Sequence, residues 1–243
     1  MDSINLLKRS LQEMKIDNSA EQLEKLTAFQ GLIVEKNKTM NLIGPADSRE
    51  ILTRHILDSL SVLTLPESLD WNKPETRILD IGSGGGLPGI PIGIFLKQSG
   101  VVLLEKSQKK TGFLLQIIRE LSLDNITVLR GRAEELARKK KWRESFSLVT
   151  ARAVAKFNIL LELSIPFCSI NGKIIFYKSK RIFNELKIGA DVIKTLGGRI
   201  DNLVEVEIPE LEEFRALLVL SKKENTPAKF PRKFSQIKRG RCR

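Results

Sequence analysis

Arg77-Ile-Leu-Asp80-Ile-Gly82-Ser-Gly84-Gly-Gly86-Leu87-Pro-Gly89-Ile-Pro-Ile-Gly-Ile-Phe95 decides the fold of this chain. A short apolar run ends on an acid, a glycine-rich turn follows, and an apolar segment with small residues comes next. That order predicts a strand, a loop of bare backbone and the start of a helix. Glycine reaches φ > 0 and lets other atoms approach the main chain closely. N–H groups left open at a helix start attract polar or anionic atoms. Five glycines within residues 82–89 weaken a turn unless a ligand needs the space.

Two ligands fit the loop on first reading. Gly84-x-Gly86-x-x-Gly89 matches the dinucleotide pattern, and Glu105 lies about 20 residues on, where an NAD enzyme places its ribose acid. Asp80 shifts the balance. A carboxylate at the strand end suits a ligand with a positive amino group and would repel a pyrophosphate. S-adenosyl-L-methionine (SAM) carries an amino group, a sulfonium and a ribose, and no phosphate. SAM is therefore the expected cofactor, with a nicotinamide enzyme as the alternative.

Outward from the loop, the pattern alternates between strand and helix from Thr76 onward. Strands are expected near 77–81, 100–105, 126–130, 146–150, 172–178, 200–206 and 214–220, and helices near 88–97, 107–121, 132–139, 156–166 and 180–195. Such alternation implies a parallel sheet covered on both faces. The last two strands have no helix between them and are expected to pair antiparallel. A Rossmann-like, seven-stranded mixed sheet that closes on a hairpin is the α/β architecture of the class I SAM-dependent methyltransferases.

Residues before the loop read as an N-terminal helical extension. Ile4, Leu7, Leu11 and Met14 fall at helical spacing. Ser19 with Gln22 forms a capping box for a helix to about Thr39, and Asp47 with Glu50 forms another for a helix through Ser61. The expected division is a helical region at 1–65, a SAM-binding domain at 76–221 and a basic tail at 222–243.

The 243-residue chain has a net charge of +12, and residues 222–243 hold nine Lys/Arg against Glu224 alone. With Pro227 and Pro231 and little periodicity, this tail reads as an extended arm for a polyanion, most simply nucleic acid. A second basic stretch, Arg130 to Arg143, reads equally well as a solvated helix face or a contact surface. No run of about 18 apolar residues predicts a membrane span. Cys168 and Cys242, 74 residues apart, have neither disulfide-framework nor metal-ligand spacing. The expectation is a cytoplasmic monomer with no metal and no membrane partner.

Ligands of such sheets bind outside the carboxyl ends of the strands. Asp80, Gly82 and Gly84 end the first strand, and Glu105 ends the second, where a carboxylate can accept both ribose hydroxyls. Arg132-Ala133-Glu134 follows the third, where a backbone N–H and an acid can read the adenine edge. Arg152 ends the fourth and Lys178 the fifth, where the methyl acceptor approaches. Arg152 is expected to hold the methionine end of the cofactor or a substrate phosphate, with a structural ion pair as the alternative. The place after strand four lacks the Asn/Asp-Pro-Pro-aromatic motif of amino methyltransferases. Cys168 reads as a small buried residue rather than a nucleophile. Guanine N7 has an in-plane lone pair that needs no deprotonation, so the lack of an obvious base fits it.

Arg54-His55-Ile-Leu-Asp58-Ser59, the Asp80–Pro91 run with Gly-Leu-Pro-Gly-Ile-Pro, Arg132-Ala-Glu-Glu, Ala151-Arg152-Ala and Thr226-Pro-Ala-Lys-Phe-Pro-Arg-Lys233 together resemble the RsmG (GidB) family. The resemblance covers the chain from about Asn37 to Lys233. It implies a bacterial methyltransferase of guanine N7 in 16S rRNA of the small ribosomal subunit, at guanine 527. It also implies SAM-binding positions at Gly82, Leu87, Ala133, Glu134 and Arg152, and a helix bearing His55 as a lid. A small-molecule or protein methyltransferase and a non-enzymatic binding module are the rival readings.

Overall fold

The computed structural model describes residues 3–152 and 155–239. Arg241, Cys242 and Arg243 of the tail lie outside the described residues. The chain opens with helices α1 (Ser3–Glu13) and α2 (Ala20–Asn37). Both expected capping boxes form. Ser19 Oγ accepts from Gln22 N at 3.3 Å while Gln22 Oε1 accepts from Ser19 N at 2.8 Å. Asp47 Oδ1 accepts from Glu50 N at 2.8 Å and Glu50 Oε2 from Asp47 N at 3.1 Å, opening α3 (Ser48–Glu50). The helix then widens into a π-helical stretch, Ile51–Leu57, and tightens again in α4 (Asp58–Leu60).

Strand β1 (Arg77–Ile81) starts the alternation, followed by α5 (Gly89–Phe95), β2 (Gly100–Glu105), α6 (Gln108–Glu120), β3 (Ile126–Arg130) and α7 (Ala133–Leu136). Then come β4 (Phe146–Arg152), α8 (Phe157–Ser164), β5 (Cys168–Lys178), α9 (Ile182–Thr195), β6 (Gly198–Glu205), β7 (Ala216–Lys222) and the short α10 (Phe234–Lys238). The sheet runs β3-β2-β1-β4-β5-β7-β6. β1 to β5 are parallel, and β7 lies antiparallel between β5 and β6. The expected seven strands and closing hairpin are all present.

Period-two alternation divides the core into two layers. Ile78, Leu103, Leu148 and Ile175 point to one face, with Leu7, Leu26, Phe29 and Ile33 of the N-terminal helices in the same cluster. Leu79, Ile81, Val149 and Phe176 point to the other, against Leu161 of α8 and Ile193 of α9. The N-terminal helices thus share a core with one sheet face. Of this region, Asn37 at the end of α2 and Arg54 and His55 reach the carboxyl end of β1, beside Gly82.

The expected extended arm is not what residues 222–238 form. Lys222 is the last residue of β7 and fully buried; its ammonium donates to Ile165 O at 3.2 Å and to Thr226 Oγ1, and pairs with Glu144 at 3.0 Å. Arg232 pairs with the buried Glu162 at 2.7 Å. Arg143 donates to the carbonyls of Thr226 and Phe230, the latter at 2.8 Å, so part of the second basic stretch clasps the tail. Charge counting saw cations without neighbours because their carboxylates lie 78 and 70 residues away.

Candidate active site

Two features shape the loop after β1. Gly84 sits at φ +54°, and its N–H donates to Glu105 Oε2 at 3.1 Å. Gly89 packs so closely that a Cβ would lie 2.3 Å from Leu103 and 2.9 Å from Asp80 Oδ2. That closeness lets Gly89 N–H reach Asp80 Oδ2 at 3.1 Å.

Asp80 therefore does not face the ligand space. Its side chain is buried beneath the loop, accepting from Gly89 and, at 3.4 Å, from Thr150 Oγ1. Burial pushes its carboxyl up to about 6, against the hydrogen bonds that favour the charged form. The residue organises the loop from below. The sequence reading, an acid turned toward a ligand amino group, is corrected in this respect: inward alternation along β1 carries the side chain under the glycines.

A cleft of about 1350 Å³ opens at the carboxyl ends of β1, β2, β4 and β5. It brings together Gly82, Gly84, Leu87, Glu105, Ala133, Glu134, Arg152 and Lys178, every expected site residue except Asp80. Small-molecule clefts span about 300–1,000 Å³, so this one has room beyond a single cofactor.

Glu105 is 7% exposed and accepts Ser107 N–H at 2.8 Å through Oε1 as well as Gly84 N–H through Oε2. A carboxylate offers about four lone-pair directions, so both oxygens keep acceptor capacity toward the cleft. Ala133 and Glu134 begin α7, opposite Leu160 and Leu163 of α8. Phe234 from α10 joins that apolar side, and no sequence signal singled it out.

Arg152 forms the ion pair expected as the alternative to a ligand role, and it also lines the cleft. Its Nη1 pairs with Asp58 Oδ2 at 2.9 Å and donates to the carbonyls of Arg54 and His55 at 3.2 and 3.3 Å. Its Nη2 meets His55 Nδ1 at 3.1 Å. Every one of these contacts is to the helix of the Arg-His-x-x-Asp-Ser run. The π-helical widening turns carbonyls outward, and the guanidinium takes them up. Tyr177 Oη adds a bond to Ser59 O at 2.7 Å. The end of β4 and the end of β5 thus dock the roof helix.

An arginine only donates, so His55 Nδ1 is the acceptor and the neutral ring carries its proton on Nε2. Burial first, then the charge of Arg152, lowers the His55 pKa to about 4. Burial raises the Asp58 pKa, opposed by Arg152.

Lys178 pairs with Glu185 at 2.7 Å and lies 4.2 Å from the ring centre of Phe157. Burial pulls its ammonium below the ordinary value, and Glu185 opposes the shift. Among the described residues, Lys106, Lys110 and Arg181 line the same cleft without an ion pair. The roof loop also contributes: Asn37 Oδ1 accepts from Leu42 N and Ile43 N at 3.0 and 3.2 Å, fixing Leu42 over Gly85. Cys168 is buried away from the cleft, and burial pushes its thiol up to about 12, so it is a packing residue.

The glycine loop, the acid closing β2 and the β3-β2-β1-β4-β5-β7-β6 order define a class I methyltransferase fold. Solved structures share it: Aeropyrum pernix fibrillarin with natively bound S-adenosyl-L-methionine has TM-score 0.53 and 15% identity, covering 68% of this chain and 73% of that one. A predicted O-methyltransferase from Agrobacterium tumefaciens has TM-score 0.52 and 18% identity, over 71% of this chain and 81% of that one. Residues 22–213 match the family model described as GidB, rRNA small subunit methyltransferase G, and the chain belongs to that family. "Ribosomal RNA small subunit methyltransferase G" of Dehalococcoides mccartyi strain BAV1 is 36% identical over 230 residues, 95% of this chain and 96% of the relative. The protein of that name from Clostridium botulinum strain Eklund 17B is 34% identical over 237 residues, 98% of each chain.

Proposed function

We propose that this chain transfers the methyl group of SAM to N7 of a guanine in 16S rRNA of the small ribosomal subunit. One observation carries the reading. A single cleft joins a carboxylate-lined end, Glu105 and Glu134, to an end lined by Lys178 and Arg181, with more volume than one cofactor needs.

The residues fit SAM. Glu105 keeps acceptor capacity for ribose hydroxyls. Ala133 and Glu134 offer an N–H and an acid to an adenine edge. Gly82, Gly84 and Leu87 leave a bare strip for the methionine part, which Asp80 supports from beneath. SAM supplies a methyl group on a positively charged sulfur, ready for displacement.

The chain's own contribution is positioning. The acceptor N7 has a lone pair in the ring plane, so no base has to remove a proton, and alignment is the main catalytic term. His55, neutral and held by Arg152, is not needed as a base. Arg152 holds the roof over the cofactor half, and Lys178 faces the acceptor. Lys106, Lys110 and Arg181 attract the RNA backbone. In this reading the helices of residues 1–65 roof the domain of residues 76–221, and the protein acts as a cytoplasmic monomer without metal. The test is calorimetric binding of SAM, together with methyl transfer to small subunits that lack the modification. Binding without transfer would leave the fold reading standing and remove the RNA reading.

A further inference from the structure

The C-terminal segment was expected to serve RNA, yet its best-defined contacts lead into the cleft. Arg232 is fastened to Glu162, which lies in α8 between Leu160 and Leu163, the two α8 residues lining the cleft. From that anchor the chain turns into α10. There Ile237 is buried against Ile159 and Leu163, while Phe234 packs on the same small cluster as Ala133. Phe234 is only partly covered, and the cleft meets it beside Ala133 and Glu134. An apolar ring at the edge of a ligand cleft, next to a backbone N–H and a carboxylate, suits a flat heteroaromatic group with polar edges.

We propose that the ring of Phe234 is a wall of the adenine subsite, so that the segment Thr226–Lys238 completes the cofactor pocket. The inference rests on the reading of Ala133 and Glu134 as the adenine side. The segment lies beyond residues 22–213, the part matched by the family model. It follows that Lys222, Arg143 and Arg232 act as fasteners of a pocket wall. Their charges are spent on Glu144, on the carbonyls of Thr226 and Phe230, and on Glu162. Lys238 Nζ stands 5.7 Å from the Phe234 ring centre, which leaves the ring electrostatically engaged with a cation as well as with the cluster.

The experiment measures SAM and adenosine affinity of the full chain by calorimetry. Base-on-aromatic stacking predicts that Phe234→Ala raises both Kd values about tenfold or more. Phe234→Leu, which keeps apolar volume and loses the aromatic face, should also weaken both. Phe234→Trp should restore binding and change its indole emission when adenosine is added. Wild-type affinity in the Ala and Leu variants would overturn the inference. So would weakening in the Ala variant with full recovery in the Leu variant, since that pattern means packing alone. If Glu134→Gln weakens SAM binding while the Phe234 variants do not, the wall fails and the cofactor reading stands. A wild-type chain that takes up no SAM overturns both.

Discussion

Arg152 Nη2 lies 3.1 Å from His55 Nδ1, joining the end of β4 to the π-helical roof across 97 residues of sequence. The same guanidinium pairs with Asp58, and among the described residues all its hydrogen bonds are donated to the roof helix. This contact makes the sole histidine a reporter of how the roof is docked.

The ring should titrate near 4 in the native protein, read by proton NMR of its single imidazole. Arg152→Met removes the second cause of the shift and should move that midpoint up only part of the way toward the ordinary 6.5, since burial, Arg215 and Arg54 still lower it. The folded pKa lies below the unfolded one, so the neutral ring's contribution is complete above pH 6.5 and is lost as pH falls toward 4. The full shift corresponds to about 3 kcal/mol. A wild-type ring that titrates at its ordinary value would show that the roof is not docked as described.

Asp80 behaves in the opposite sense. Its folded pKa is raised to about 6, so its contribution is complete below the unfolded value of roughly 4 and is lost as pH rises through 6. Urea denaturation at pH 4 and pH 7 should show Asp80→Asn gaining on the wild type by roughly 2–3 kcal/mol over that interval. Asp80→Ala leaves Gly89 N–H without its acceptor, costs about 1–3 kcal/mol and should weaken SAM binding by loosening the loop. Equal SAM affinity in the Ala variant would remove the supporting role.

The tail clamp has a stability signature. Arg232→Met leaves Glu162 buried without that cation and should destabilise the fold by about 3 kcal/mol in urea. Arg239→Ala, at an exposed position, should change stability by less than about 0.5 kcal/mol. Similar midpoints for the two variants would restore the picture of a detached arm.

RNA contact should reside in the cleft cations. Arg181→Ala should weaken binding to small-subunit rRNA and lower the slope of log K against log salt by about one, with SAM affinity kept; Lys110→Ala, whose ammonium lies beside Gly84, should lower the slope likewise. Lys178→Ala should lower methyl transfer more than SAM binding. Unchanged salt slopes would place the RNA elsewhere.

Sequence reading recovered the seven strands, their hairpin and both capping boxes, because periodicity and caps are local and each strand's burial agrees with its neighbours. That Glu105, Ala133 and Glu134 would meet in one cleft was legible for a related reason: residues at the carboxyl ends of parallel strands converge. Three features were not legible. The inward turn of Asp80 depends on the register of β1 against Thr150 of β4. The π-helical turn at Ile51–Leu57 presents carbonyls that are met by Arg152, far along the chain. The folded-down tail depends on Glu144 and Glu162, which neutralise cations that look free when charges are counted by segment.

The central claim, methyl transfer to guanine N7 of 16S rRNA, is tested most directly by one measurement. Small subunits from a strain lacking this activity are incubated with the protein and tritiated SAM, and the labelled nucleoside is identified after digestion. The account predicts label in 7-methylguanosine at a single position of 16S rRNA. Label on another atom or another RNA, or none at all in a protein that binds SAM, would contradict it.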